Sequence, residues 1–464
     1  MMDLERLVAA LGAVEVVGRA PVEVRDLVYD ARAVTPGALF FCVRGAHADG
    51  HDFAPEAVER GATALVVERP LEFGVPQVVV RDARAAMAVA ADEFFGHPTH
   101  ELEVVGVTGT SGKTTTAFLL FAILAAAGRR PGLLGTVEAR VGGERRGVVR
   151  TTPEAIDLQR TFREMVDAGD RSCAMEASSH ASQLHRLDLV RFAALVFTNL
   201  SQDHLDFHGD MESYFEAKRR LFVAGHPPAA VNVGDAYGRR LAAELPHALT
   251  FGFAPDAAIG PDALEGIEVK LRGRFNVENA LGALAAARLL GVDDAAIARG
   301  IESVRGVPGR FEAVDEGQPF TVIVDYAHKP DALETVLRAA RDLARGRVIC
   351  VVGAGGDRDR GKRPLMGRLA SELADVAIVT SDNPRSEDPQ AIIDAIVAGT
   401  VADVEVEPDR AVAIARAIEV ARDGDVVVIA GKGAEQGQQF ADRTVAFDDR
   451  EAARQALRAL GAAT

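Results

Sequence analysis

Apolar runs of strand length alternate along the chain with longer stretches whose apolar residues recur at helical spacing. That alternation predicts an α/β fold, with largely parallel sheets flanked by helices. Three blocks are visible. Residues 1–98 hold apolar runs at Ala38–Val43, Ala62–Val67 and Gln77–Val80 and a helical stretch at Ala83–Phe95. Gly96-His97-Pro98-Thr99 then breaks the pattern and reads as a linker, because Gly and Pro end regular structure. Residues 99–307 open with a strand at Leu102–Val107, a glycine-rich turn and a helix from Gly112 to Ala127. Further strands are expected at Gly132–Val137, Cys173–Ala177, Ala193–Thr198 and Ala230–Val233, with an alanine-rich helix at Val277–Leu290. Residues 308–464 begin after Val307-Pro308-Gly309. They offer strands at Thr321–Asp325, Val348–Val352, Val376–Thr380 and Asp425–Ala430 among helices at Asp331–Ala344, Pro364–Leu373, Pro389–Ala398 and Arg410–Arg422. No short-period repeat is present, which argues against a solenoid.

The length of 464 residues agrees with three domains at about 150 residues each. The net charge of −16 argues against a general nucleic-acid binder, which needs a basic surface, but leaves room for a local basic pocket. Trp is absent and aromatics make up 5%, so stacking platforms for single strands are not expected either. Cys42, Cys173 and Cys350 sit apart in apolar runs and read as buried small hydrophobes in a reducing compartment. Asp3, Glu5 and Arg6 interrupt any signal-peptide core, and the longest apolar run, Ala117–Ala127, is too short to span a bilayer. A cytoplasmic protein without a membrane span is the expectation.

Gly109-Thr110-Ser111-Gly112-Lys113-Thr114-Thr115 joins an apolar strand to a helix. Glycines there let backbone N–H groups turn toward a phosphate, and the helix N-terminus adds partial positive charge. Lys113 would reach the outer phosphates and the Thr114 hydroxyl would serve Mg²⁺. The strict phosphate-loop pattern wants Gly at 107, where Val stands; Gly106 lies one place early. The expected fold is therefore three-domain α/β: a small N-terminal α/β domain, a central P-loop ATPase-type, mostly parallel sheet, and a Rossmann-like C-terminal domain. A phosphate loop alone does not choose a reaction.

Other motifs narrow the choice. In order they are Thr151-Thr152-Pro153, Glu176-Ala177-Ser178-Ser179-His180, Thr198-Asn199-Leu200, Asp203-His204-Leu205-Asp206-Phe207-His208 and Tyr214-Phe215-Glu216-Ala217-Lys218. Gly273-Arg274-Phe275-Asn276-Val277-Glu278-Asn279, Pro308-Gly309-Arg310-Phe311-Glu312 and Asp325-Tyr326-Ala327-His328 follow. Each is weak alone; as an ordered set over nearly the whole chain they resemble the Mur ligases of peptidoglycan synthesis. Asp30-Ala31-Arg32 with Pro36-Gly37-Ala38-Leu39-Phe40, and Asp382-Asn383-Pro384-Arg385, resemble the third ligase of that series, and the latter tetrapeptide goes in the family with meso-diaminopimelate as the added amino acid. The resemblance implies ATP-driven amide formation between the D-Glu of UDP-MurNAc-L-Ala-D-Glu and that amino acid, by a monomer.

The implied roles can be weighed against plainer ones. A carboxylate must be activated before an amine displaces its oxygen, so an acyl phosphate is expected, and cations must surround the transferred phosphate. Lys113 is one. Glu176 ends a strand, a place for a Mg²⁺ ligand or merely for a capping carboxylate. His204 is the implied partner at a second ion, although Mg²⁺ prefers oxygen; His180, His204 and His208 are otherwise ordinary polar packing. Lys218, on a helix expected at Glu212–Leu221, is implied to be carbamylated by CO₂ or bicarbonate into a metal ligand, where a solvated surface lysine is the plain reading. Asn279 is implied at adenine, with Arg310 and Asp325 approaching from the third block; Arg310 otherwise sits on an exposed turn. Tyr29, Ala31, Ala46, His47 and Ala48 are implied at the UDP-sugar, and Thr151, Thr152, Ser178 and Arg186 at the peptidyl part.

For meso-diaminopimelate, Arg385 offers a guanidinium fork to the distal carboxylate. Arg358, Asp382, Asn383, Pro384 and Gly431 stand beside it, and Glu435 suits the distal ammonium. Arg358 could instead form a solvated salt-bridge cluster with Asp357, Asp359 and Arg360. Ala31, Leu184, Ala434 and Lys329 depart from residues usual in the family. Competing expectations are a lysine-adding or D-Ala-D-Ala-adding ligase, a non-catalytic regulator binding UDP-precursors, and a generic P-loop ATPase.

Overall fold

The computed structural model describes residues 1–18, 21–45 and 48–463. Three α/β domains follow one another, each built on its own sheet. The N-terminal sheet runs Glu15–Val17, Gln77–Val79, Ala62–Val67, Ala38–Phe41 and Asp26–Val28 in spatial order, and only its first strand is antiparallel.

The central sheet has eight strands among the described residues. Its core is the parallel set Pro131–Leu134, Ser172–Glu176, Glu103–Thr108, Phe192–Phe197, Ala229–Asn232 and Leu249–Phe251, to which a hairpin, Ala139–Val141 and Glu144–Arg146, adds an antiparallel edge. Helices cover both faces, so the inner strands read as unbroken apolar runs. Lys113–Ala126 and Arg274–Leu289 pack on one face, and Ala155–Asp167 and Met211–Val223 on the other. Gly106 lies inside the strand, not in the loop: a Cβ there would press on Leu195 and Phe192.

The C-terminal sheet has spatial order Glu312–Val314, Thr321–Asp325, Val426–Ala430, Val348–Val352, Val376–Val379 and Glu405–Val406, parallel except for its first strand. The carboxyl ends of its middle strands deliver Asp325, Asp382 and Gly431 to one rim, where ligands of open α/β sheets bind.

Most expected elements are present within two residues. Three differences have physical causes. The strand expected at Gly132–Val137 stops at Leu134, because Thr136 turns its N–H onto Glu176. The expected linker contains a short helical turn, Pro98–His100, entered through positive φ at Gly96 and His97. The alanine-rich helix starts earlier, at Arg274, just after Gly273 at φ +92°. All three cysteines are buried and free. Among the described residues no helix is long and apolar enough to cross a membrane.

Candidate active site

The loop between Thr108 and Lys113 is held open by its glycines. Gly109 has φ +151° with its missing Cβ against Thr198, and Gly112 has φ +84° with Asn279 in the space a Cβ would take. Neighbouring strands fix the loop from below. Thr198 Oγ1 donates to Ser111 O (2.6 Å), the Ser111 N–H donates to Asn199 Oδ1 (2.9 Å), and the Thr110 N–H donates to Asn199 O. Thr115 is buried in the first turn of the helix that follows. Lys113 Nζ curls over Gly109 O (2.9 Å) and Thr110 O (3.0 Å). Burial and the nearby Lys329 and Arg310 push its pKa down to about 8, although Glu176 opposes this.

Glu176 is buried at its strand end. It accepts from the Thr114 hydroxyl (2.9 Å) and from the N–H (2.7 Å) and hydroxyl (3.1 Å) of Thr136, which also meets Thr151. Gly135 is small because a side chain there would crowd the carboxylate. Neither helix capping nor ion pairing describes Glu176. Arg310 is no surface residue either: it stacks over Tyr326 and donates to Thr114 Oγ1 (3.2 Å) across the domain boundary. Asp325, buried, accepts from the N–H groups of Phe311 (2.6 Å) and Ala327 (2.8 Å) and so shapes the turns that carry Arg310 and His328.

Lys218 is 1% exposed, which overturns the solvated reading. Its ammonium reaches Gly109 O (3.0 Å) and the Tyr214 ring, with no carboxylate in ion-pairing range among the described residues. Burial, then Lys113 and Lys329, hold its pKa well below that of an ordinary lysine. A buried charge is expensive without a partner, so the site works against the ammonium form.

His180, His204 and His208 cluster with Phe207 and Tyr214. Burial lowers His204 to about 3 and His208 to about 4. His204 Nε2 lies 3.2 Å from Asp203 Oδ2, so the structure directs it to Asp203. Among the described residues, no three His, Cys, Asp or Glu side chains converge as a ready metal cage. The hydroxyl of Thr114 and the carboxylate of Glu176 nonetheless form the hard-oxygen pair that suits Mg²⁺, which keeps waters and phosphates as its remaining ligands.

A cleft of about 680 Å³ separates the central and C-terminal domains. Arg358, Asp382, Asn383, Arg385, Gly431 and Glu435 line it with His204, Lys329 and Lys362; Pro384 is buried behind. Arg358 makes no salt-bridge cluster. Among the described residues it donates to Asp357 O alone (3.1 Å), while Asp357 takes Ser386 and Arg360 takes Glu387. Arg385 sits at φ +52°, an uncommon conformation for a side-chain-bearing residue, and donates to Gly356 O (2.6 Å). Glu435 is already engaged: Asn383 Nδ2 (2.8 Å) and the fully buried Lys432 (3.2 Å) both donate to it.

A second pocket, about 420 Å³, lies between the N-terminal and central domains. Tyr29, Ala31 and Ala48 line it; Ala46 and His47 fall outside the described residues. Tyr29 donates to Asp157 (2.6 Å). Buried Glu154 gathers Arg84 (3.2 Å), Arg150 (3.2 Å) and Arg186 (2.7 Å), so Arg186 is not a free surface group. Thr152 and Ser178 bond each other, and Thr152 also caps Glu176 O.

Sequence reasoning passed over several participants. Thr198, Asn199 and Asp203 stood in quoted motifs without a role. Lys329, noted only as a departure, pairs with Asp203 at 3.0 Å across the domains. Thr136 and Glu154 carried no signal at all.

Three family models match the chain: "Mur ligase family, catalytic domain" over 23–95, "Mur ligase middle domain" over 107–287, and "Mur ligase, glutamate ligase domain" over 309–433. Curated relatives named UDP-N-acetylmuramoyl-L-alanyl-D-glutamate–2,6-diaminopimelate ligase include one from Solibacter usitatus at 47% identity, covering 95% of each chain. Another, from Geobacillus thermodenitrificans, is 46% identical over 98% of this chain and 99% of its own. A solved structure of such a ligase is 30% identical with TM-score 0.66, covering 97% and 98% of the two chains. The MurF ligase of Thermotoga maritima in complex with ADP shares the fold at 21% identity and TM-score 0.62, covering 94% of this chain and 97% of its own.

Proposed function

The chain belongs to the Mur ligase family, and from that premise we propose that it is an ATP-dependent ligase joining meso-diaminopimelate to the D-Glu of UDP-MurNAc-L-Ala-D-Glu, a step of peptidoglycan precursor synthesis. The observation that carries the reading is the cleft. His180, Asp203 and His204 on the central-domain wall, joined to the phosphate loop through the Ser201 N–H to Thr110 Oγ1 bond (3.0 Å), face Arg358 and Arg385 on the other wall, two arginines with no carboxylate partner among the described residues. A dicarboxylate amino acid is the substrate that needs both walls.

Within this reading the domains are 1–98, 99–307 and 308–464. Lys113 and the loop N–H groups hold the ATP phosphates, with Asn279 at the adenine side and Arg310 opposite. Thr114 and Glu176 would hold Mg²⁺, which supplies charge neutralisation at the transferred phosphate. Lys218, enclosed and with its ammonium form disfavoured by burial, is the kind of amine that captures CO₂; as a carbamate it would offer the oxygens that His204 lacks. Lys113 and Arg310 neutralise the charge that develops as the D-Glu carboxylate becomes an acyl phosphate. Closure of the C-terminal domain keeps water from that mixed anhydride. Arg358 and Arg385 take the distal carboxylate, and Asp382 and Glu435 the distal ammonium. Tyr29, Ala31, Ala48, Thr151, Thr152, Ser178 and Arg186 hold the UDP-linked acceptor. A single chain supplies every group, which supports a monomer, and dependence on ATP supports the cytoplasm.

The test is product mass after incubating the chain with ATP, Mg²⁺, the UDP-dipeptide and meso-diaminopimelate, L-lysine, L-ornithine or no amine. A tripeptide product with meso-diaminopimelate alone is expected. Product with lysine instead would remove the assignment of Arg358 and Arg385, and no product with any amine would remove the ligase assignment for this substrate set.

A further inference from the structure

We infer that Glu387, which lies behind the cleft and does not line it, is the positioning residue that sets the spacing of Arg358 and Arg385 and thereby the selectivity for a dicarboxylate amino acid. The inference rests on the reading above. Arg358 and Arg385 sit on different loops, 355–361 and 382–387. Each loop carries a non-glycine residue in the left-handed region, Asp357 at φ +52° and Arg385 at φ +52°. Such backbone persists only when the surroundings over-determine it.

Glu387 supplies most of that constraint. Its carboxylate accepts two bonds from the buried Arg363 (2.8 and 3.1 Å), one from the Asp357 N–H (2.7 Å), and an ion pair from Arg360 (3.2 Å). Arg363 also donates to Gly355 O (3.4 Å), its Nε has no partner, and Glu387 is its carboxylate partner among the described residues. The preceding residue repeats the tie: Ser386 Oγ donates to Asp357 Oδ1 (2.6 Å). Gly356 N–H donates to Asn383 O (2.9 Å), and a side chain at Gly356 would strike Pro384 O, so the loops touch with no slack.

The arrangement also sorts charge. Arg360 and Arg363 are spent on Glu387, so the arginines that line the cleft among the described residues are Arg358 and Arg385. Removing the Glu387 charge frees two competing cations and loosens the Asp357 turn together. Misplacing a binding group by about 1 Å can cost on the order of a hundredfold.

Glu387→Gln should therefore raise KM for meso-diaminopimelate at least about tenfold and lower its discrimination over L-lysine by a similar factor. The kcat at saturation and the KM values for ATP and the UDP-dipeptide should stay within about twofold, as for distant independent sites. Ser386→Ala, which removes one hydrogen bond to the Asp357 carboxylate, should shift the same KM about tenfold or less in the same direction, and it decides the matter if Glu387→Gln does not fold. A folded Glu387→Gln with unchanged selectivity, or one in which kcat and every KM change together, would overturn the inference. So would an unaltered KM in Ser386→Ala if the first variant fails to fold. The wild type run alongside separates the two levels: a wild type selective for meso-diaminopimelate leaves the reading standing whatever the variants do, and one that uses only L-lysine removes both.

Discussion

The two pockets treat their cations in opposite ways. Between the N-terminal and central domains, Arg32 is paired with Asp30 (2.7 Å), and Arg84, Arg150 and Arg186 converge on Glu154. On the side of the central and C-terminal domains, Lys113, Arg310, Arg358, Lys362 and Arg385 contact carbonyls, hydroxyls or rings and no described carboxylate pairs with any of them, while Lys329 alone of the lysines and arginines lining the cleft pairs with an acid, Asp203 (3.0 Å). In a chain of net charge −16 this is a deliberate reserve of positive charge. The first pocket can take an anion only by exchange with an internal carboxylate. The second holds charge that is costly until an anion arrives, so it binds strongly where charge develops.

The largest way to break this contrast is to remove a cation from the reactive side. Lys113→Ala should lower kcat by at least about a thousandfold, as expected for loss of charge stabilisation at a transferring phosphoryl group, and Lys218→Ala, which removes the amine that would carry the carbamate, should lower it by a similar factor; product formation under saturating substrates measures both. Added bicarbonate should raise wild-type turnover and leave Lys218→Ala unmoved. Next in size, Arg385→Leu should reduce kcat/KM for meso-diaminopimelate by on the order of a hundredfold, with KM for ATP unchanged. An equal loss for both substrates in steady-state assays would place Arg385 in general folding.

The contrast also has a pH signature. Lys113, held down to about 8 by burial, loses its proton near that pH in the free chain. ATP affinity should therefore weaken above pH 8, toward roughly tenfold per unit, whereas affinity for the UDP-dipeptide, resting on arginines that do not titrate, stays flat. The stability sign is opposite: between pH 8 and the ordinary lysine range the unfolded chain binds the proton that the folded chain has released, so this group makes the free chain more stable as pH rises through that window. Calorimetric titrations of each ligand from pH 7 to 9.5 check both. The smallest effect belongs to the paired pocket. Glu154→Gln removes the competing anion, so KM for the UDP-dipeptide should fall about threefold, while the melting temperature drops because three arginines lose their partner.

Reading the chain alone carried the fold far, because strand runs such as Val348–Val352 and helix runs such as Pro389–Ala398 are periodic and long. The phosphate loop was equally plain, since strand, glycines, lysine and helix coincide at 106–126. What stayed hidden depends on contacts between distant segments. Lys218 reads as solvated until the helix Met211–Val223 turns it under Gly109. Thr136 reads as strand until Glu176 draws it off. Arg310 follows a Pro-Gly turn and looks exposed; only domain packing takes it to Thr114. Whether an arginine is paired is likewise invisible from its neighbours in sequence: Arg358 sits among Asp357, Asp359 and Arg360 and pairs with neither acid, while Arg186 finds Glu154 from 32 positions away.

The account stands on the cleft's unpaired cations gathering around an acyl phosphate. The most direct measurement follows oxygen. With both γ-carboxylate oxygens of the D-Glu acceptor labelled as ¹⁸O, ATP and meso-diaminopimelate present, the account predicts one ¹⁸O in each phosphate released and one retained in the new amide. Phosphate released without ¹⁸O while product accumulates would contradict it.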